Sequence, residues 1–185
     1  MALTPSNMMP LGTPAPDFCL PDTVSGDELC LAEICGEVAT VIMFICNHCP
    51  FVKHVQGELV KLGQEYPSRG GALVAISSND AGQYPEDSPE NMKSLAVSMG
   101  YAFPYLYDET QHVARLFDAA CTPDFYVFDQ ALECVYRGQL DESRPGNDIP
   151  VTGTDLRRAL DALLEGRTVD PDQKPSVGCN IKWKA

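Results

Sequence analysis

Two continuous apolar runs dominate the first half of the chain, Val38-Ala-Thr-Val-Ile-Met-Phe-Ile45 and Ala72-Leu-Val-Ala-Ile-Ser77. Both are rich in β-branched residues and lack polar alternation. Each therefore predicts a strand covered on both faces, as in a parallel sheet. Between them, Val52, Val55, Leu59, Leu62 and Tyr66 recur at spacings of three and four, the stripe of a core-facing helix. Pro50 sits in that helix's first turn, where a missing N–H costs nothing, and Pro67 and Gly70-Gly71 end it. Strand, helix and strand with short joints make a βαβ unit, so the fold class is α/β with a parallel core.

Around this unit the pattern is weaker. Residues 1–16, with four prolines, read as an extended arm. Short segments at Phe18–Leu20 and Glu28–Leu31 flank Thr23-Val-Ser-Gly-Asp27 and predict an N-terminal hairpin. Asn79 to Pro89 is a polar loop. Ser88 and Pro89 then start a helix with Met92, Leu95, Ala96 and Met99 on one face. Thr110 is placed to cap a short helix carrying Val113, Ala114 and Phe117. Tyr105–Tyr107 is too short to assign. Phe125–Phe128 and Glu133–Arg137 predict an antiparallel hairpin around Asp129-Gln-Ala131. Thr154 to Gly166 reads as a helix with Leu156, Leu160, Leu163 and Leu164 inward and Gly166 as its C-terminal cap. Residues 167–185 read as an irregular tail. Without repeats or a linker, 1–185 is expected to be one domain.

Composition narrows the function. The chain has 185 residues, 26 acidic and 13 basic side chains, and a net charge of −13, which argues against nucleic acid and anionic membrane as partners. The 44% hydrophobic content rules out a disordered chain. No run approaches a membrane span, and the first ten residues lack the basic and apolar regions of a secretory signal, so a cytoplasmic location is expected. Eight cysteines in a reducing compartment are not read as four disulfides. Cys19, Cys30, Cys35 and Cys134, in or beside apolar stretches, are expected to be core thiols.

Cys46-Asn-His-Cys49 falls where the first buried strand meets its helix. A C-x-x-C beside a βαβ pattern points to a dithiol redox site. Across the first helical turn two sulfurs come within disulfide range. The helix N-terminus offers N–H groups and a positive dipole end to a thiolate. Cys46, nearer the strand end, is expected to be the nucleophile and Cys49 the resolving cysteine. His48 is expected to support the Cys46 thiolate, which would make the disulfide more oxidising. Lys53 and His54 read as a solvated helix face. A structural zinc site usually pairs two short spacings, and no second C-x-x-C exists, so no metal and no cofactor beyond the cysteine pair is expected. Cys121-Thr-Pro123 precedes the hairpin strand. Thr122 and Pro123 are expected at the site, with Pro123 cis. Cys121 and Cys179 are possible accessory thiols; for Cys179 a docking contact is the simpler reading.

With these pieces in place the chain resembles the thioredoxin-like branch of the alkyl hydroperoxide reductase/thiol-specific antioxidant family. The resemblance rests on Pro14-Ala-Pro-Asp-Phe18, Phe44-Ile-Cys-Asn-His-Cys-Pro-Phe-Val52, Ile76-Ser-Ser-Asn-Asp80 and Tyr84-Pro-Glu-Asp-Ser-Pro89. Phe103-Pro-Tyr-Leu-Tyr-Asp-Glu-Thr110, Cys121-Thr-Pro-Asp-Phe125, Tyr136-Arg-Gly-Gln-Leu-Asp141 and Pro175-Ser-Val-Gly-Cys-Asn-Ile-Lys-Trp183 extend it. It implies a thioredoxin-like fold, a central mixed sheet flanked by helices, with the N-terminal hairpin and the C-terminal tail as additions. It also implies a thiol–disulfide oxidoreductase acting through Cys46 and Cys49. Expected partners are protein or small-molecule disulfides and thiols, with an electron-donating thiol system. Peroxiredoxins place Pro, Thr or Ser, and the reactive cysteine at spacings of four and three. Here Ile42 and Cys46 take the first two places and Cys49 the third, so the peroxide-binding hydroxyl is missing. A thiol peroxidase and a copper(I) or zinc carrier through Cys46, Cys49 and His48 stand as alternatives. The arm and tail are free to pack on their own domain or on a second subunit, which leaves a homodimer open.

Overall fold

The computed structural model describes residues 3–185. Its strands in chain order are Leu3–Pro5 (β1), Cys19–Pro21 (β2), Glu28–Cys30 (β3), Ala39–Phe44 (β4), Gly71–Ser77 (β5), Tyr105–Tyr107 (β6), Cys121–Thr122 (β7), Asp124–Asp129 (β8), Cys134–Gly138 (β9) and Val177–Asn180 (β10). The helices are Leu31–Ile34 (α1), Pro50–Glu65 (α2), Pro89–Met99 (α3), His112–Leu116 (α4) and Thr154–Leu164 (α5).

The two apolar runs form the centre of a five-stranded sheet ordered β6-β5-β4-β8-β9. β4 pairs β5, and β5 pairs β6, in parallel; β4 with β8, and β8 with β9, run antiparallel. The sheet is therefore mixed, and the fold is thioredoxin-like and α/β. All six residues of β4 are buried, as a strand covered on both faces requires. Val41 and Met43 pack with Val55, Leu59, Leu62 and Leu160 on one face, under α2 and α5. Ile42 and Phe44 pack with Phe18, Val113 and Phe117 on the other. Each fully buried leucine of α2 contributes roughly 1.5–3 kcal/mol by leaving water. α3 starts on Ser88, whose hydroxyl accepts the Asn91 N–H, and ends on left-handed Gly100.

Three sequence expectations are revised, and one unassigned segment takes a definite form. Tyr105–Tyr107 is an edge strand. Thr110 is not the cap of α4: Gln111 holds that place in a left-handed conformation, φ 62°, and the Thr110 hydroxyl accepts the His112 N–H. The arm and tail are not irregular throughout. β1 and β7 both pair with β10, antiparallel, giving a small sheet ordered β1-β10-β7 within the chain. Gly178 makes this possible, because a Cβ there would sit 2.0 Å from the Thr122 carbonyl oxygen. Finally, Cys19 and Cys30 are not core thiols but a disulfide across directly opposed residues of β2 and β3. Among the described residues no helix is long and apolar enough to cross a membrane.

One buried acid in β8 links the fold to pH. Burial pushes the Asp124 carboxyl up to about 8, against hydrogen bonds from Tyr126 Oη and the Phe125 N–H that favour the charge. The folded chain thus keeps a proton that the unfolded chain releases near pH 4. Stability from this group is full below about pH 4 and is lost as pH rises toward 8. Asp124→Asn keeps the acceptor for Phe125 and offers Tyr126 a donor. It is expected to raise stability at pH 8 by up to a few kcal/mol and to matter little at pH 4. Urea unfolding at both pH values checks this; an unchanged difference between them would refute it.

Candidate functional site

β4 delivers the chain through Ile45 to Cys46, and the turn 47–48 leads into α2 with Cys49 as its N-cap. Cys46 and Cys49 are 1% and 0% exposed. Pro123 enters from the other side at the start of β8, and the Thr122–Pro123 peptide bond is cis. Thr122 places its hydroxyl 3.5 Å from Cys46 Sγ and its carbonyl oxygen 3.4 Å from Cys49 Sγ. Cys179 comes from β10, opposite Thr122 in the pairing, and its Sγ lies 2.8 Å from Cys49 Sγ.

The charge in this cluster belongs to Cys49. Its neighbours Cys46, Cys179, the Val52 N–H in the first turn of α2 and Thr122 favour the charge, Cys46 most. Together they outweigh burial and bring Cys49 down to about 4. Cys46 moves the opposite way, held protonated by its bond to Cys49, by burial and by the negative charge of Asp87. Burial, with the neighbouring Cys49, pushes Cys179 up to about 12. The two sulfurs thus shift in opposite directions, Cys49 down and Cys46 up, and the interaction between them is the largest cause for each, whereas the sequence reading places the thiolate on Cys46.

The residue the sequence did not reveal is Asp87. It lies in the loop before α3 and is fully buried. Its Oδ1 accepts the backbone N–H groups of Asn47 and His48, at 2.8 and 3.2 Å. Its Oδ2 accepts Asn79 Nδ2 at 2.8 Å and pairs with His48 Nδ1 at 2.6 Å. One carboxylate thus fixes the backbone between the two cysteines and the His48 ring. His48 stacks on Tyr84, ring centroids 5.2 Å apart, and turns its Nδ1 to Asp87. Asn47 is tied down by Tyr105 Oη at 3.0 Å and by its own bond to the Glu86 carbonyl.

His54 is not a simple solvated position, since its Nε2 lies 2.7 Å from Ser143 Oγ. Lys53 is exposed. Cys121 Sγ faces the Pro123 carbonyl oxygen at 3.8 Å, and burial pushes its thiol up. Cys134 is buried, its thiol raised by burial to about 11, and Cys35 is half-buried against the core. Donor atoms of Cys46, His48 and Asp87 lie within 4.8 Å of one another, a grouping that leaves out Cys49. Both Asp87 oxygens already accept two hydrogen bonds each, so a metal would have to displace them.

A family model, the AhpC/TSA family, matches residues 11–137. The chain belongs to the AhpC/TSA family. An uncharacterized conserved protein from Geobacillus kaustophilus is 65% identical over 100% of this chain and 97% of its own, with a TM-score of 0.98. A hypothetical protein from Sinorhizobium meliloti is 48% identical over 98% and 99%, with a TM-score of 0.96. A peroxidoxin from Mycobacterium tuberculosis shares the fold at 18% identity, covering 86% of this chain and 98% of its own, TM-score 0.63. A comparison with curated protein sequences finds no match. AhpC/TSA membership and the thioredoxin-like neighbours support a redox enzyme of the thiol class in general terms.

Proposed function

We propose that this AhpC/TSA protein is a thiol–disulfide oxidoreductase that works through a reversible Cys46–Cys49 disulfide. The observation that carries the reading is the placement of Cys46 and Cys49 at the junction of β4 and α2, both sulfurs against Thr122 of the cis Thr122–Pro123 bond. The Cys49 thiolate attacks a substrate disulfide and releases one substrate sulfur as thiolate. Cys46 then gives up its proton and attacks Cys49, which forms the Cys46–Cys49 bond and frees the second substrate sulfur. An external thiol reductant returns the pair to the reduced state. In reverse, a substrate thiolate attacks the Cys46–Cys49 disulfide. Thr122 and Pro123 form the wall against which the reacting sulfurs sit, and His48 holds the turn through Asp87. Substrates are protein or small-molecule disulfides and thiols, and no cofactor beyond the pair is needed.

A stabilised thiolate favours the reduced form, so the disulfide is expected to be a strong oxidant, with a reduction potential less negative than about −200 mV. Equilibration in glutathione buffers measures this. Insulin reduction with dithiothreitol tests the activity: wild type is expected to accelerate precipitation and Cys46→Ser to lose the effect. Equal rates for the two would overturn the assignment. For hydrogen peroxide, with Cys46 in the place of the hydroxyl-bearing residue, a rate no faster than that of an ordinary thiolate is expected in stopped flow.

A further inference from the structure

The sulfur of Cys49 has two sulfur neighbours. Cys46 lies before it across the 47–48 turn, and Cys179 Sγ lies 2.8 Å from it. A disulfide bond is about 2.0 Å, so less than about 1 Å of movement separates this contact from a bond. The placement of Cys179 is built into the chain. β10 is paired on both edges, with Cys179 opposite Thr122 of β7 and Leu3 of β1. Ser176 hydrogen-bonds the Pro123 carbonyl before the strand, and Ile181 bonds the Ala120 carbonyl after it. Gly178 admits the close approach to Thr122, which no other residue could make without moving the strand.

We propose that Cys179 is a third redox cysteine, which competes with Cys46 for Cys49, so that the oxidised site alternates between Cys46–Cys49 and Cys49–Cys179 disulfides. This rests on the dithiol reading given above. In the exchange, the Cys179 sulfur loses its proton and attacks Cys49 Sγ. The Cys49–Cys179 bond forms and the Cys46–Cys49 bond breaks. The electron pair leaves with Cys46, which takes up a proton. One disulfide and one thiol stand on each side, so no oxidant or reductant is consumed. The Cys49–Cys179 state returns Cys46 as a thiol beside Thr122 and covalently ties β10 to α2. Cys121, whose sulfur faces the Pro123 carbonyl, takes no part.

The test uses the full chain. Reduced Cys46→Ala and Cys46→Ala/Cys121→Ala proteins are treated with one equivalent of diamide, acid-quenched, and mapped by non-reducing peptide mass spectrometry. A Cys49–Cys179 peptide is expected in both, at least about tenfold above any other new linkage, because the two sulfurs are held at high effective concentration. Wild type is expected to give this peptide together with Cys46–Cys49, and Gly178→Val to reduce its share relative to Cys46–Cys49. Insulin reduction by wild type is assayed in parallel. Turnover with Cys179 reduced in every variant would overturn the third-cysteine role and leave the dithiol reading standing. The linked peptide without turnover would uphold the pairing and overturn the dithiol reading.

Discussion

Cys49→Ser is expected to remove the thiolate of the reduced protein and to lower insulin reduction by about 10³-fold or more. Cys46→Ser is expected to lose turnover as well, yet to keep the thiolate. The difference follows from which sulfur the helix faces. Cys49 is the N-cap of α2, and Cys46, Cys179 and the Val52 N–H beside it lower its value. With its value near 4, the thiolate absorbance should persist from pH 8 to about pH 5 and fall away below about 4. In Cys46→Ser a hydroxyl still donates to Cys49, and the Val52 and Cys179 bonds remain, so the midpoint should rise without returning to that of a free thiol. Far-ultraviolet titration of the two reduced variants reads this without any reagent having to reach a buried sulfur. A thiolate that survives in Cys49→Ser and vanishes in Cys46→Ser would reverse the roles.

Asp87→Asn is expected to cost about 3–5 kcal/mol of stability, the range for breaking a buried charged network at one partner. The carboxylate has four donors aimed at it: two backbone N–H groups, His48 Nδ1 and Asn79 Nδ2. An amide keeps one oxygen and turns an NH₂ group toward two of those donors, leaving them unsatisfied in a buried place. For a chain of this size each kcal/mol lowers the melting temperature by about 2–4 °C, so a drop on the order of 10 °C is expected. Circular dichroism melting measures it. A change within about 0.5 kcal/mol would mean that the turn holds itself. The same variant removes the negative charge that helps to keep Cys46 protonated, so the Cys46 thiol should ionise more easily.

The sequence makes the sheet centre, α2 and the C-x-x-C site readable because each is encoded locally. An apolar run of strand length, a stripe at helical spacing, and two cysteines at their junction need no partner to be recognised. Asp87 was unreadable for the opposite reason. It stands in a polar loop with Glu86 and Ser88, where an acid normally faces water, and only the folding of that loop over the 47–48 turn buries it. β10 and β6 were too short for alternation to show. The Cys19–Cys30 bridge did leave a signal. Cys19 lies four residues before the Thr23–Asp27 turn and Cys30 three after it, so hairpin register puts them near one another. The strand that holds Cys179 does dock, but only the register of β10 against β7 brings its sulfur to Cys49.

The strand that carries Cys179 also reaches the other wall of the site. Just past it, the Lys182 N–H bonds Asn79 Oδ1 and the Asp80 N–H bonds the Lys182 carbonyl. Lys182 also covers Tyr84, which covers His48. The segment 176–182 and the loop 79–87 are therefore stitched into one cooperative unit, and neither can leave without straining the other. Since neither Cys46 nor Cys49 is exposed, a bulky substrate meets them only after a local opening. If opening costs about 3 kcal/mol, fewer than about 1 molecule in 100 is receptive at any instant. Turnover on proteins would then be limited by the frequency of this opening, however reactive the sulfur beneath it.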